Sequence, residues 1–347
     1  MSAAAANSVL AKARAMYGKR LTAQNYSDLL SCRTVGETAA YLKSRTVYSS
    51  VFEGMPMGSL HRRQLESLVH NHLSSQFASL CRYEKFIGDK FYEHFVMKSD
   101  VEMLLHAIRN INRNDTEDFP KTLPSFFYKH SDVNAQELYC IKDLDGLLRA
   151  VEKSRYKDVI APFAYRGENG DPDYFGMESS LTKFFFSQSA ELIKKSYKGK
   201  ERKELLDFLG LVADLQNIVS IYRLKRLTSM NNVAIRTMLM PYGKMGEKRL
   251  NNMLEASTAQ EALSTLNGTE YALFANRGEH TVEEIKNKIR YDYCKEKIRF
   301  SSYPSIVMLC YVRLAENEVD NITHIVEGIR YNISPDEIER LLIGVGD

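Results

Sequence analysis

Two histidines flanking one asparagine, His70-Asn71-His72, are the side chains in this sequence that most invite a metal ion. Residues two apart on a helix point about 200° from one another, so the two imidazoles cannot share an ion while a helix persists there. Glu168, Asp171 and Asp173 resemble half of a calcium loop, yet Pro172 separates the two aspartates and the distal glutamate of an EF-hand is missing. Asp115-Thr116-Glu117-Asp118 is the nearest approach to the DDxxD cluster with which prenyl-diphosphate enzymes hold magnesium, and it sits among helix breakers instead of on a helix. The phosphate cradle GxxxxGK(S/T) is absent, as are GxGxxG, GxSxG and HExxH. These residues predict no catalytic, cofactor-binding or metal-ligating set, and a chain that is not an enzyme.

What remains is charge and amides. The stretch from Lys194 to Lys203 carries Lys194, Lys195, Lys198 and Lys200 within seven positions. Such a run is either a solvated connection between helices or a basic loop that meets an acidic partner or lipid headgroups. Over the whole chain, 47 basic side chains face 44 acidic ones, a net charge of +3, which lacks the basic footprint of a nucleic-acid binder. The five cysteines, Cys32, Cys81, Cys140, Cys294 and Cys310, are scattered with no CxxC spacing, against both a disulfide framework and a structural zinc site. The longest apolar run, Pro304 to Val312, is about nine residues where a spanning helix needs about twenty. With no basic flank or long apolar core at the start of the chain, a cytoplasmic location is expected.

Elements able to position any of these groups are helical. Val101, Leu104, Ile108 and Ile111 recur at three- and four-residue steps, as do Leu215, Ile218 and Tyr222, and again Val319, Ile322, Ile325 and Ile329. Each spacing predicts a long helix with one apolar stripe. Thr34 with Glu37 reads as a capping box, and Ser334-Pro335-Asp336-Glu337 predicts a short helix from Pro335 to about Ile343.

The three stripes belong to an internal repeat. Asp100 to Arg109, Asp214 to Arg223 and Glu318 to Glu327 are drifting copies of one pattern, which places Asn217 and Asn321 at equivalent positions beside the stripe. There they serve either as hydrogen-bonding packers of helices or as positions that hold a partner. A second motif drifts in step, an amphipathic stretch followed by Tyr48, Tyr156 or Tyr271. Offsets of about 104 to 115 residues give three units, 1–115, 116–230 and 231–347, each with several short helices and then two long ones. A solenoid adaptor binding a partner on a concave face is the competing arrangement, but its repeats are typically about 20 to 45 residues.

Asp214-Leu215-Gln216-Asn217-Ile218 through Arg223-Leu224-Lys225 resembles the Asp-x-x-Asn-Ile and Arg-x-Lys helix of the C subunit of archaeal-type and bacterial V-type rotary ATPases, related to the d subunit of the eukaryotic V-ATPase. Asn321-Ile322 followed by Ser334-Pro335-Asp336-Glu337-Ile338 is similar to that family's C-terminal segment, and Leu21-Thr22 through Tyr26, Leu29-Leu30 and Thr34 to Leu42 fits its opening. Where the family's third copy tends to carry Arg-Gly-Lys, this chain has Glu327-Gly328-Ile329, with Arg330 one place later. The resemblance implies an all-α fold of three similar helical units arranged as a pseudo-threefold funnel. It implies a non-catalytic component of the central-stalk rotor, whose mouth receives the shaft of the D and F subunits and whose base sits on the membrane proteolipid ring. The machine would serve ATP-driven proton or sodium transport or ATP synthesis, with this chain peripheral to the cytoplasmic face. Lys194, Lys195, Lys198, Lys200, Asn217, Arg223 and Asn321 are then the candidate partner contacts.

Overall fold

Side-chain caps set where the helices begin. In the computed structural model, which describes residues 3–55, 60–81, 91–113, 130–134, 137–138, 140–165 and 172–346, Ser334 accepts from the Glu337 amide and Glu337 answers the Ser334 amide. The helix so capped runs Pro335–Leu341, slightly shorter than expected, because Leu342 turns to extended backbone and the Ile343 peptide is hydrogen-bonded elsewhere. Thr34 likewise accepts from the Glu37 amide at 3.1 Å, but the Glu37 carboxylate reaches back to the Arg33 amide at 2.7 Å, one residue before the expected partner. The acidic stretch Asp115–Asp118, together with Glu168 and Asp171, lies outside the described residues.

The fold is all-α, with no strand among the described residues. Long helices come in the expected pairs: Arg62–Cys81 and Phe91–Arg113, Tyr174–Ser196 and Gly199–Leu227, Val282–Phe300 and Pro304–Arg330. The chain divides into two compact units, one of residues 1–88, 121–124 and 279–347, the other of residues 89–120 and 125–278.

In the first unit the Pro304–Arg330 helix is the hub, packed against Val282–Phe300, Ala3–Tyr17 and Arg62–Cys81. Its apolar side meets Leu29, Leu42, Phe52 and Leu65 through Ile322, Ile325 and Val326, all buried. Arg14 ties the N-terminal helix to the end of Val282–Phe300, donating to the carbonyls of Ile298 at 2.9 Å and Ser301 at 2.7 Å. Gly328 lets the short Pro335–Leu341 helix close on the hub, since a Cβ there would stand 2.4 Å from the Ile338 side chain. Glu327 forms an ion pair with Arg62.

In the second unit Tyr174–Ser196 lies between Phe91–Arg113 and Gly199–Leu227, and the latter also packs on Ala259–Ser264. A single stripe is too narrow a description of Gly199–Leu227, because from Phe208 to Tyr222 nearly every face is buried. It is the one described helix long and apolar enough to cross a membrane, and 72% of its apolar window is buried inside the protein.

Candidate functional site

The two repeated motifs meet each other. Asp214, inside the Gly199–Leu227 helix, accepts the hydroxyl of Tyr271 at 2.7 Å and the amide of Lys244 at 2.9 Å. Asp100, inside Phe91–Arg113, accepts the Tyr156 hydroxyl at 3.1 Å, the Asp132 amide at 3.3 Å and the Ser131 hydroxyl at 2.5 Å. Glu318, inside Pro304–Arg330, accepts the Tyr48 hydroxyl at 2.8 Å and the Leu21 amide at 2.7 Å. Each node therefore holds a helix of one copy to the opening amide and the tyrosine of another copy. Asp100 and Asp214 reach forward to tyrosines 56 and 57 positions downstream, whereas Glu318 reaches back to Tyr48, 270 positions upstream.

Burial dominates the electrostatics of the nodes. It pushes the Asp100 carboxyl from 3.8 up to about 6, against hydrogen bonds from Ser131, Asp132 and Tyr156 that favour the carboxylate. Asp214 and Glu318 are raised for the same reason. Burial, reinforced by the neighbouring carboxylates, holds Tyr48, Tyr156 and Tyr271 above the ordinary phenol value, so they remain hydrogen-bond donors. A buried carboxylate held mainly by hydrogen-bond donors is costly to leave partly satisfied, and this makes each node specific for one arrangement of backbone.

The repeated asparagines extend two of the nodes. Asn217 donates to the Met240 carbonyl at 3.0 Å and accepts from the Met240 amide at 2.6 Å. Asn321 does the same with Ile343, at 2.9 Å and 3.1 Å. Both side chains are buried, and each pairs with the backbone of one residue a little over twenty positions downstream. In the Arg223-Leu224-Lys225 run, Arg223 is exposed, while Lys225 reaches the carbonyls of Leu254 and Ala256, each at 2.7 Å, at the end of the Glu247–Glu255 helix.

Lys194, Lys195, Lys198 and Lys200 lie together at the turn into Gly199–Leu227, all exposed, with Gly199 at φ +57 making the bend. Lys194 pairs with Glu191 at 2.9 Å and stands 5.1 Å from the Tyr242 ring centroid. The lysines thus flank the turn from Tyr174–Ser196 into Gly199–Leu227, Arg223 lies near the far end of the latter, and no single site gathers the candidates. The node residues Asp100, Asp214, Glu318, Tyr48, Tyr156 and Tyr271 emerge only in three dimensions. Their sequence signal is an acidic residue recurring at the head of an apolar stripe.

A profile of the ATP synthase (C/AC39) subunit family matches residues 9–341. Three similar proteins each bear the name of the C subunit of an A-type ATP synthase. That of Pyrococcus horikoshii is 23% identical over 342 residues, covering 96% of this chain and 88% of that protein. That of Archaeoglobus fulgidus is 21% identical over 344 residues, covering 96% and 95%. That of Pyrococcus furiosus is 28% identical over 261 residues, covering 73% and 68%.

Proposed function

The chain belongs to the ATP synthase (C/AC39) subunit family, and from that premise we propose that it is a non-catalytic central-stalk component of a rotary ATPase, the socket that couples the D and F shaft to the proteolipid ring. The observation that carries this reading is the family match across nearly the whole chain, from residue 9 to residue 341. The three nodes support a mechanical role. A coupling element must resist twist, and carboxylates that fasten one copy to another within a densely packed helical core supply stiffness in shear as well as in compression.

In this proposal the three copies form a pseudo-threefold funnel on the cytoplasmic face of the membrane. Exposed Lys194, Lys195, Lys198, Lys200 and Arg223 are its partner contacts, while Asn217 and Asn321 hold the backbone that frames it. Torque from ATP hydrolysis or ion flow passes through the socket. Deleting the chain from its native complex should abolish ATP-driven ion transport in membrane vesicles while the detached soluble motor keeps hydrolysing ATP. Transport that survives the deletion refutes the coupling role.

A further inference from the structure

Glu318, which accepts from the Leu21 amide and the Tyr48 hydroxyl, has a cavity beside it. The cavity holds about 40 Å³, where one water-sized occupant needs about 10–15 Å³ on the same measure. Its walls are unusually phenolic: Tyr17, Tyr26, Tyr48, Tyr291 and Tyr311 line it together with Glu318. Tyr17 is 9% exposed, and its buried hydroxyl has no hydrogen-bond partner among the described residues. An unpaired hydroxyl in that position costs about 1–3 kcal/mol unless something in the cavity completes its coordination.

The sign of the field identifies the class of occupant. Glu318 belongs to no ion pair among the described residues, and besides burial its charge contributes to raising Tyr26, Tyr48 and Tyr311. Arg20, whose charge partly favours the Glu318 carboxylate, also stacks on the Tyr17 ring, 4.3 Å from its centroid, and donates to the Tyr17 carbonyl at 3.4 Å. Lys19 is exposed at the rim, and burial disfavours the charged form of His72. A carboxylate in this setting gains from a counter-ion, and a single carboxylate among neutral phenols suits one positive charge better than two, since divalent ions gather several carboxylates. The aromatic faces add attraction for the same charge.

We propose that this cavity binds a desolvated monovalent cation, coordinated by the Glu318 carboxylate and the Tyr17 hydroxyl. The site stands independently of the rotary role, because the isolated chain contains all of it. The test is the melting temperature of the full chain at pH 8 and constant ionic strength, with potassium, sodium or ammonium chloride replacing N-methylglucamine chloride. At least one small cation should raise it saturably. Tyr17→Phe should show a crossover: in N-methylglucamine it melts at or above wild type, having lost only an unsatisfied hydroxyl, and in the small cation it melts below. Its half-saturating concentration should rise about tenfold, the scale of one lost bond to a charged group. Glu318→Gln should abolish the response, and Asp214→Asn should lower the melting temperature yet retain it. Should Glu318→Gln fail to fold, the Tyr17→Phe crossover decides alone. Thallous-ion crystals should give an anomalous peak against Glu318. A melting temperature indifferent to the cation, including one that rises only as pH falls, overturns the proposal, as does an equal shift of Tyr17→Phe in both salts.

Discussion

Replacing Tyr48 by Phe removes one hydroxyl from a residue that is 2% exposed and leaves its ring to fill the same space. The lost bond is the 2.8 Å donation to Glu318, which then retains only the Leu21 amide. A hydrogen bond to a charged group is worth about 1.5–3 kcal/mol, and here the remaining acceptor is buried, so about 2–3 kcal/mol is expected. Tyr156→Phe, by contrast, leaves Asp100 with the Ser131 hydroxyl and the Asp132 amide, and should cost about 1 kcal/mol. The pH dependence has a definite sign. Because burial raises Glu318 above 4.5, its favourable contribution is complete below that value and is lost as pH rises through the folded-state value. The Tyr48 bond opposes that rise, so removing it widens the window, and the deficit of Tyr48→Phe should be larger at pH 8 than at pH 5. Urea unfolding at the two pH values, at fixed salt, measures it. A deficit no greater than that of Tyr156→Phe, or one independent of pH, refutes the donor-counting argument.

Asp100→Asn should flatten the stability profile between pH 4 and 6, since a rise from 3.8 to about 6 corresponds to about 3 kcal/mol that wild type loses across that interval; a profile parallel to wild type in urea melts contradicts this. Gly328→Ala should destabilise by about 1–3 kcal/mol, because its Cβ meets Ile338 at 2.4 Å, and Ile338→Ala in the same chain should relieve part of the Gly328→Ala penalty in a double-mutant cycle. Reversing Lys194, Lys195, Lys198 and Lys200 to Glu should weaken assembly with the rotary complex more at low than at high salt, where screening shortens to about 3 Å at 1 M; unchanged co-purification at every ionic strength assigns the turn to solvent.

Much of the helical class is legible in the spacing of single stripes such as Val319, Ile322, Ile325 and Ile329, and the Ser334 box marks its helix start within one residue. The nodes are not legible in the same way. Asp214 and Tyr271 recur separately in the sequence, but nothing in a one-dimensional repeat says that the carboxylate of one copy bonds the tyrosine of another. That pairing is set by long-range packing and depends on burial depth, which composition does not report. The asparagines show the same limit: Asn217 and Asn321 are recognisable as equivalent, yet the backbone partners they share in kind, Met240 and Ile343, have no common local pattern, and Asn321 alone also donates to a side chain, the Tyr26 hydroxyl at 3.2 Å.

The Glu318 node also sets a timetable for synthesis. Residues 89–278 contain both of the other nodes and can complete nearly all of their unit while the chain is still emerging, whereas the segment from 1 to 88 completes its own unit with residues 279–347. At about 5–20 residues per second the early segment waits on the order of 10–40 s with Leu29, Leu42 and Phe52 lacking the hub helix that buries them. Its contacts with that helix have sequence separations near 300, as in Leu21 to Glu318, so loop closure falls late and slowly. The ribosome-bound chain is therefore the form most exposed to aggregation, and the one most dependent on a chaperone that shelters an unfinished N-terminal quarter.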